Sequence, residues 1–340
     1  MGQEVNLTLF NADHFKTFFQ KLTEETQLLK KLIANRQFSE LAPTAGFEIE
    51  AWLIDDQMQA AANNISFLQN LNDPLAFPEL AKFNIELNGI PQKLTGNVLS
   101  TLHQNLTQTW EKSCLHAQQL NNHILIIGTL PTLKPSDMTL LNMSDMNRYR
   151  VLNEQILKAR GKPINLDIVG IEHLKFDHDD VMLESATTSL QLHTQVPFDT
   201  AHHFYNASII ASAAIVASCA NAPYLFGKNL WHESRIPLFE QAIETGGYGG
   251  AVHGPLKRVS FGSDFARNSI MECFQENLDH FPVLLPELFN GPIEQFEHLR
   301  LHNGTIWRWN RPLIGFDDDN TPHIRIEHRT PSAGPTIIDS

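Results

Sequence analysis

Four short segments of this chain each place polar or charged side chains two residues apart. They are Glu48 and Glu50 in 46–54 (GFEIEAWLI), Asn84, Glu86 and Asn88 in 83–88 (FNIELN), Ser189, Gln191, His193 and Gln195 in 189–196 (SLQLHTQV), and Arg325, Glu327 and Arg329 in 323–329 (HIRIEHR). In a strand, residues two apart point the same way, so each segment has a polar face backed mainly by apolar residues such as Phe47, Ile49, Ile85, Leu87, Leu190, Ile324 and Ile326. If these strands share one sheet, a single face carries Glu48, Glu50, Glu86 and Glu327. Four carboxylates so close raise one another's pKa unless cations neutralise them. Hard divalent cations take carboxylate oxygens, and magnesium commonly bridges such groups to nucleotide phosphates. Arg325 and Arg329 suit bidentate recognition of phosphate or carboxylate.

The plainer account of any one such strand is an antiparallel sheet with one face in water, where alternating charges are merely solvated. Alternation in a single strand is commonplace. The joint occurrence of four glutamates favours a site, as do their flanks, Gly46 before the first pair and the run NGIP at 88–91 after Glu86.

The spacing of apolar residues predicts the elements that hold these strands. Helices are expected at 12–35, 96–122, 146–160, 202–220 and 264–289, and a buried strand at 124–127. Loops are marked by Pro131 and Pro135, by the glycines of 245–254 and by 317–322. Alternating strands far apart in sequence and interleaved with helices indicate an α+β fold. The expected arrangement is an antiparallel sheet with helices packed on one face and the other face lining a cleft. Residues 1–340 read as one catalytic domain, with 1–40 an N-terminal helical segment. The last residues, TIIDS, read as the opening of a helix, so a missing C-terminal segment is an expectation of the sequence.

The 340 residues are 42% apolar, enough for a sizeable core, and carry a net charge of −13 without a Lys/Arg-rich block. That balance argues against nucleic acid and anionic membrane as partners and for small-molecule substrates; a homo-oligomer is left open. Cys114, Cys219 and Cys273 share no metal-ligand or disulfide spacing. The opening residues lack a basic segment followed by an apolar run, and the most apolar stretch, 207–222, is shorter than the roughly 20 residues that span a bilayer. A cytoplasmic location is expected.

Other residues invite chemistry less strongly. His202–His203, and His173 with His178, suggest zinc, but each pair lacks a matching further ligand. The loop GGYGG at 246–250 could cover phosphates, although it lacks the lysine and the strand-to-helix context of a phosphate-binding loop. Trp307 and Trp309 share one face of an expected strand with Thr305, leaving Arg308 and Asn310 on the other. Tryptophan packs in cores first, so Arg308 is the better site residue.

The segments GFEIEAWL (46–53), NIELNGIP (84–91), HNGTIWRWNRP (302–312) and RIEHRTPSAGPT (325–336) resemble, in order and spacing, successive blocks of the glutamate-cysteine ligase type 2 family. Arg148–Tyr149, the strand 189–196, and NAPYLFGK (221–228) followed by Arg235 extend the likeness over most of the chain from Gly46 onward. The resemblance implies a fold similar to the catalytic domain of glutamine synthetase, with ATP and Mg2+ on the open face of a curved antiparallel sheet. It implies metal ligands at Glu48, Glu50, Glu86 and Glu327, with Glu79 where relatives place a further acid. It implies a phosphate contact at Arg329 and a substrate contact at Arg235; taken with the residue types, Arg325 and Arg308 are further expected at the nucleotide, Glu327 and Arg329 in catalysis, and Arg148, Tyr149 and His193 at the substrate. The implied reaction forms an amide, as in the γ-glutamyl ligation of glutathione biosynthesis, through an acyl phosphate. Many relatives carry a Cys-Gly-x-His-x-His-Val run where this chain reads SLQLHTQV, with His193 alone answering to it, so glutamate and cysteine do not carry over as the substrate pair. A metal-dependent phosphotransferase and a catalytically silent nucleotide-binding homologue are the other readings.

Overall fold

The computed structural model describes residues 4–7, 9–245 and 256–340. Among these, the strands are Thr44–Ile54 (β1), Ala76–Pro78 (β2), Asn84–Asn88 (β3), Gln92–Lys93 (β4), His123–Leu125 (β5), Ile164–Val169 (β6), His173–His178 (β7), Leu190–Val196 (β8), Tyr224–Leu225 (β9), Lys228–Asn229 (β10), Asn310–Phe316 (β11) and Pro322–His328 (β12). The α-helices are Ala12–Ala34 (α1), Asn64–Leu71 (α2), Val98–Gln119 (α3), Asn147–Arg160 (α4), Ala201–Cys219 (α5), Arg235–Ala242 (α6), Met271–His280 (α7) and Glu297–Gly304 (α8).

The main sheet is antiparallel, runs β11-β12-β8-β1-β3-β2 and curls into a half-barrel, with β4 and β5 pairing the two ends of β1. The eleven-residue β1 is its spine. Phe47, Ile49, Ala51 and Leu53 leave one face of that strand to pack with Ile85 and Leu87 of β3 and with Leu106 and Ala117 of α3. Further along the same face, Ile314, Ile324 and Ile326 pack with Ala201 and Tyr205 of α5. Burial of these aliphatic side chains contributes roughly 1.5–3 kcal/mol each. It also pins the register, because a one-residue slip would send every glutamate into this apolar layer. The α+β architecture with helices behind the sheet is therefore as expected.

Helix α1 begins at the capping residue Asn11, whose Oδ1 accepts from His14 N at 3.0 Å. It lies against α7 and α8. Its buried Glu25 caps a second helix: the carboxylate accepts from Leu299 N at 2.7 Å and His298 N at 3.3 Å, and lies 2.5 Å from His298 Nδ1. The cap residue of α8, Phe296, has no side chain able to serve the N–H groups left over at a helix start, so the acid comes from α1 instead.

Two expectations change. The helix predicted over 264–289 is only Met271–His280. Glu272 turns back to accept from the backbone N–H groups of Arg267, Asn268 and Ser269, starting the helix late, and Pro282 stops it. The strand predicted through Thr305–Trp309 starts at Asn310, because α8 runs to Gly304 and residues 305–309 are irregular. Among the described residues no helix is long and apolar enough to cross a membrane.

Glu25→Ala would strand the α8 N–H groups and His298 in the core. We expect a loss of about 3 kcal/mol of unfolding free energy, read as a lower urea midpoint; an unchanged midpoint would show that α8 does not need this cap.

Candidate active site

The open face of the sheet lines a cleft of about 490 Å³. Register decides which side chains meet in it. Glu50 stands opposite Glu86, Glu48 opposite Gln191, His193 opposite Glu327, and Glu327 opposite Arg311. The four glutamates singled out from the sequence thus come from β1, β3 and β12 onto one surface, with β8 between.

Glu327 is the most heavily compensated. Arg311 grips it through two parallel contacts, Nε to Oε2 at 2.7 Å and Nη2 to Oε1 at 3.0 Å, and Arg329 Nη1 lies 3.3 Å from Oε2. Burial alone would raise its pKa, but Arg311, Arg329 and His193 outweigh it and hold Glu327 far below the usual carboxylate range. Glu48 is half-buried, yet His193, whose Nε2 lies 3.1 Å from Oε1, keeps it on the ionised side.

The other acids behave oppositely. Burial, followed by the neighbouring charge of Glu86, outweighs Arg329 and pushes Glu50 up to about 7, although its carboxylate accepts from Ser189 N (2.7 Å), Ser189 Oγ (3.0 Å) and Gln191 Nε2 (2.8 Å). Burial and then Glu50 push Glu79 and Glu184 to about 7, and burial with Glu48 and Glu79 also raises Glu86 well above the usual carboxylate range. Glu50, Glu79 and Glu184 are therefore half-protonated near neutrality unless a cation takes the place of the proton.

One atom from each of Glu48, His193 and Glu327 lies within 4.8 Å of the others, the only such convergence of three or more His, Cys, Asp or Glu groups among the described residues. Two carboxylates and an imidazole suit a divalent cation. His193, expected at the substrate, is therefore placed where a metal ligand would be. Glu50, Glu79 and Glu86 supply carboxylates for a neighbouring ion.

The remaining expected residues divide. Arg329 reaches Gln191 and Glu327, and Arg325 lines the cleft beside Leu313. Arg148 and Tyr149 are hydrogen-bonded to one another on the cleft wall, and burial followed by the charge of Glu79 raises the Tyr149 pKa. Arg235 is 3% exposed, ion-paired with Glu233 at 2.9 Å, and stands at the closed end of the cleft. Arg308 is a correction: it is 1% exposed and bound to Glu276 and Asn277 of α7, away from the cleft. With no strand at 305–309, the face on which the sequence placed it does not exist. His173 and His178 pair with Asp167 and Asp180, and the His202 and His203 rings lie tilted against each other; among the described residues neither pair collects a third ligand. The glycine loop at 246–250 lies outside the described residues.

Arg311 and Glu184 were not singled out from the sequence. The signal for Arg311 was the length of the β11–β12 loop: once Phe316 faces Pro322, counting back places Arg311 opposite Glu327. Glu184 sits in a short 3-10 turn without strand or helix periodicity, and no sequence signal points to it.

The chain matches the family model of glutamate-cysteine ligase family 2 (GCS2) over residues 44–267. Among solved structures it is similar to a glutamate–cysteine ligase from Francisella tularensis in complex with AMP, at 14% identity and a TM-score of 0.32, over 52% of this chain and 30% of that one. It is also similar to a bifunctional glutathione synthetase from Pasteurella multocida, at 12% identity and a TM-score of 0.33, over 56% of this chain and 24% of that one. The chain thus spans less than a third of either protein's length. No curated protein matches it. Because the family model covers more than half of the chain, including β1, β3 and β8 of the cleft, the protein belongs to glutamate-cysteine ligase family 2.

Proposed function

We propose that this protein is an ATP- and Mg2+-dependent carboxylate–amine ligase that forms an amide, in the γ-glutamyl class, through an acyl phosphate. The observation that carries the reading is the convergence of Glu48, His193 and Glu327 beneath Arg311 and Arg329. Glu48, His193 and Glu327 would hold one Mg2+, and Glu50, Glu79 and Glu86 a second. Bound there, the ions would neutralise the triphosphate and align its γ-phosphoryl group.

The protein's own part is positioning and charge. Arg325, Arg329 and Arg311 line the cleft and would meet the negative charge that gathers on phosphate oxygens during transfer. A substrate carboxylate oxygen attacks the γ-phosphorus and ADP leaves. The amine nitrogen then attacks the acyl carbon of the mixed anhydride, expelling phosphate and losing a proton. Arg148, Tyr149 and Arg235 border the space in which the carboxylate substrate would lie. The closed rear of the cleft, walled by Trp309 and Phe239, would limit hydrolysis of the anhydride.

Glu327→Gln should lower amide formation and carboxylate-dependent ADP release by at least about a thousandfold while the far-ultraviolet circular dichroism spectrum persists. Undiminished ADP release in that variant would overturn the assignment.

The raised carboxylates set a pH dependence. Glu50, Glu79 and Glu184, at about 7, bind protons in the folded state that the unfolded chain has already lost above its ordinary values. The metal-free protein should therefore melt at progressively lower temperature from pH 5.5 to 8. Added Mg2+ should restore more of the melting temperature at pH 8 than at pH 6, since it competes with protons for the same oxygens. A Mg2+ effect that is equal at both values, or nil, would count against the cation site.

A further inference from the structure

At the end where β1 and β3 meet the apolar core, the cleft gives onto a side pocket of about 30 Å³, room for one or two water-sized groups. Glu50, Glu79, Glu184 and Arg329 border both spaces. On the pocket wall is Asn84, 2% exposed, and among the described residues neither its Oδ1 nor its Nδ2 has a hydrogen-bond partner. A buried amide with both polar atoms unpaired is destabilising and requires a reason. The fold does not supply one. Local structure uses only the backbone of this residue, whose N–H donates to Ala81 O at 2.9 Å and whose carbonyl accepts from Asn64 Nδ2 at 3.1 Å.

The charges around the pocket indicate the sign of its ligand. Both arginines are already engaged, Arg235 by Glu233 at 2.9 Å and Arg329 by Glu327 at 3.3 Å. Among the acids, Glu50 accepts three hydrogen bonds and Glu79 accepts one from Leu80 N at 3.3 Å, but the Glu184 carboxylate accepts none among the described residues. The charged group on the wall without a hydrogen bond is thus an acid, with Arg329 and Arg148 as the nearby positive charges. Beside it stand amide and hydroxyl oxygens and the apolar walls of Phe239 and Trp309, which suit a compact cation able to donate directional hydrogen bonds.

Resting on the ligase reading above, we propose that this pocket receives the primary ammonium group of an amino-acid substrate, with Asn84 Oδ1 and the Glu184 carboxylate as its acceptors. Asn84 Nδ2 then remains to donate to a carboxylate oxygen, as the main-chain end of an α-amino acid offers. The ammonium belongs either to the acid that is activated or to the amine that attacks. Asn84 and Glu184 are thus specificity-determining residues, separate from the cation ligands.

The test measures binding, in saturating Mg2+, to the intact protein and to Glu184→Gln and Asn84→Leu, each close in shape to the original side chain. Methylammonium, followed by its 13C-methyl linewidth, should bind saturably to the wild type and at least about tenfold more weakly to each variant, while tetramethylammonium, which has no N–H, should not bind. L-Glutamate against glutarate, and L-cysteine against 3-mercaptopropionate, identify the source: the pair whose aminated member loses its advantage in the variants supplies the ammonium. Absence of saturable methylammonium binding in the wild type overturns the proposal, as does equal binding in the variants. A loss of Mg2+ affinity that matches the loss of methylammonium does so too, since it would make the pocket part of a metal site. Amide formation is assayed separately: methylammonium binding that persists without any amide product would sink the ligase reading and leave the ammonium pocket standing.

Discussion

Several carboxylates in one half-buried cleft repel each other, and the rest of the site is arranged around how that repulsion is met. Two solutions coexist a few residues apart. Glu327 is charged because two arginines and a histidine surround it, and Glu48 because His193 touches it. Glu50, Glu79, Glu86 and Glu184 lack sufficient positive partners, and burial drives them toward the protonated form. A cleft with one half held toward the ionised form and the other drawn toward protonation is prepared to take up divalent cations.

Strand register enforces this arrangement. The acids sit on β1, β3 and β12, and β8 between β1 and β12 brings Gln191 and His193 to the spacing at which they bridge neighbours. The apolar layer behind, covered by α3 at one end and α5 at the other, makes any slip costly, so the charged constellation is held by residues that never touch it. Glu25 of α1 works at a greater remove. By capping α8 it fixes the helix that leads into β11, the strand that delivers Arg311.

Family membership and site geometry cover different parts of the chain. The matched span, 44–267, includes Glu48, Glu50, Glu86 and His193 but ends before the β11–β12 hairpin. Arg311, Arg325, Glu327 and Arg329 lie beyond it, yet the sheet brings them onto the same face as the matched glutamates. The cleft is a joint product of both stretches, and the mechanistic reading depends on the hairpin as much as on the matched strands.

By itself the sequence determined what depends on local periodicity. Two-residue alternation placed Glu48 and Glu50, Asn84 and Glu86, and Arg325 and Glu327 on polar faces, and 3.6-residue spacing located α1, α3, α4 and α5 to within a few residues. These signals are carried by neighbouring side chains and survive without knowledge of the fold. Tertiary structure alone decided which polar faces meet and which polar groups are left over. Arg311 joined Glu327 because a hairpin loop set the pairing, and Arg308 left the site because residues 305–309 are not a strand and α7 offered Glu276 and Asn277. Asn84 became distinctive only once its neighbours were in place, since lacking a hydrogen-bond partner among the described residues is a property of the surroundings and leaves no trace in residue order. Burial, which moves the carboxylates toward neutrality, is likewise a sum over distant contacts rather than a local pattern.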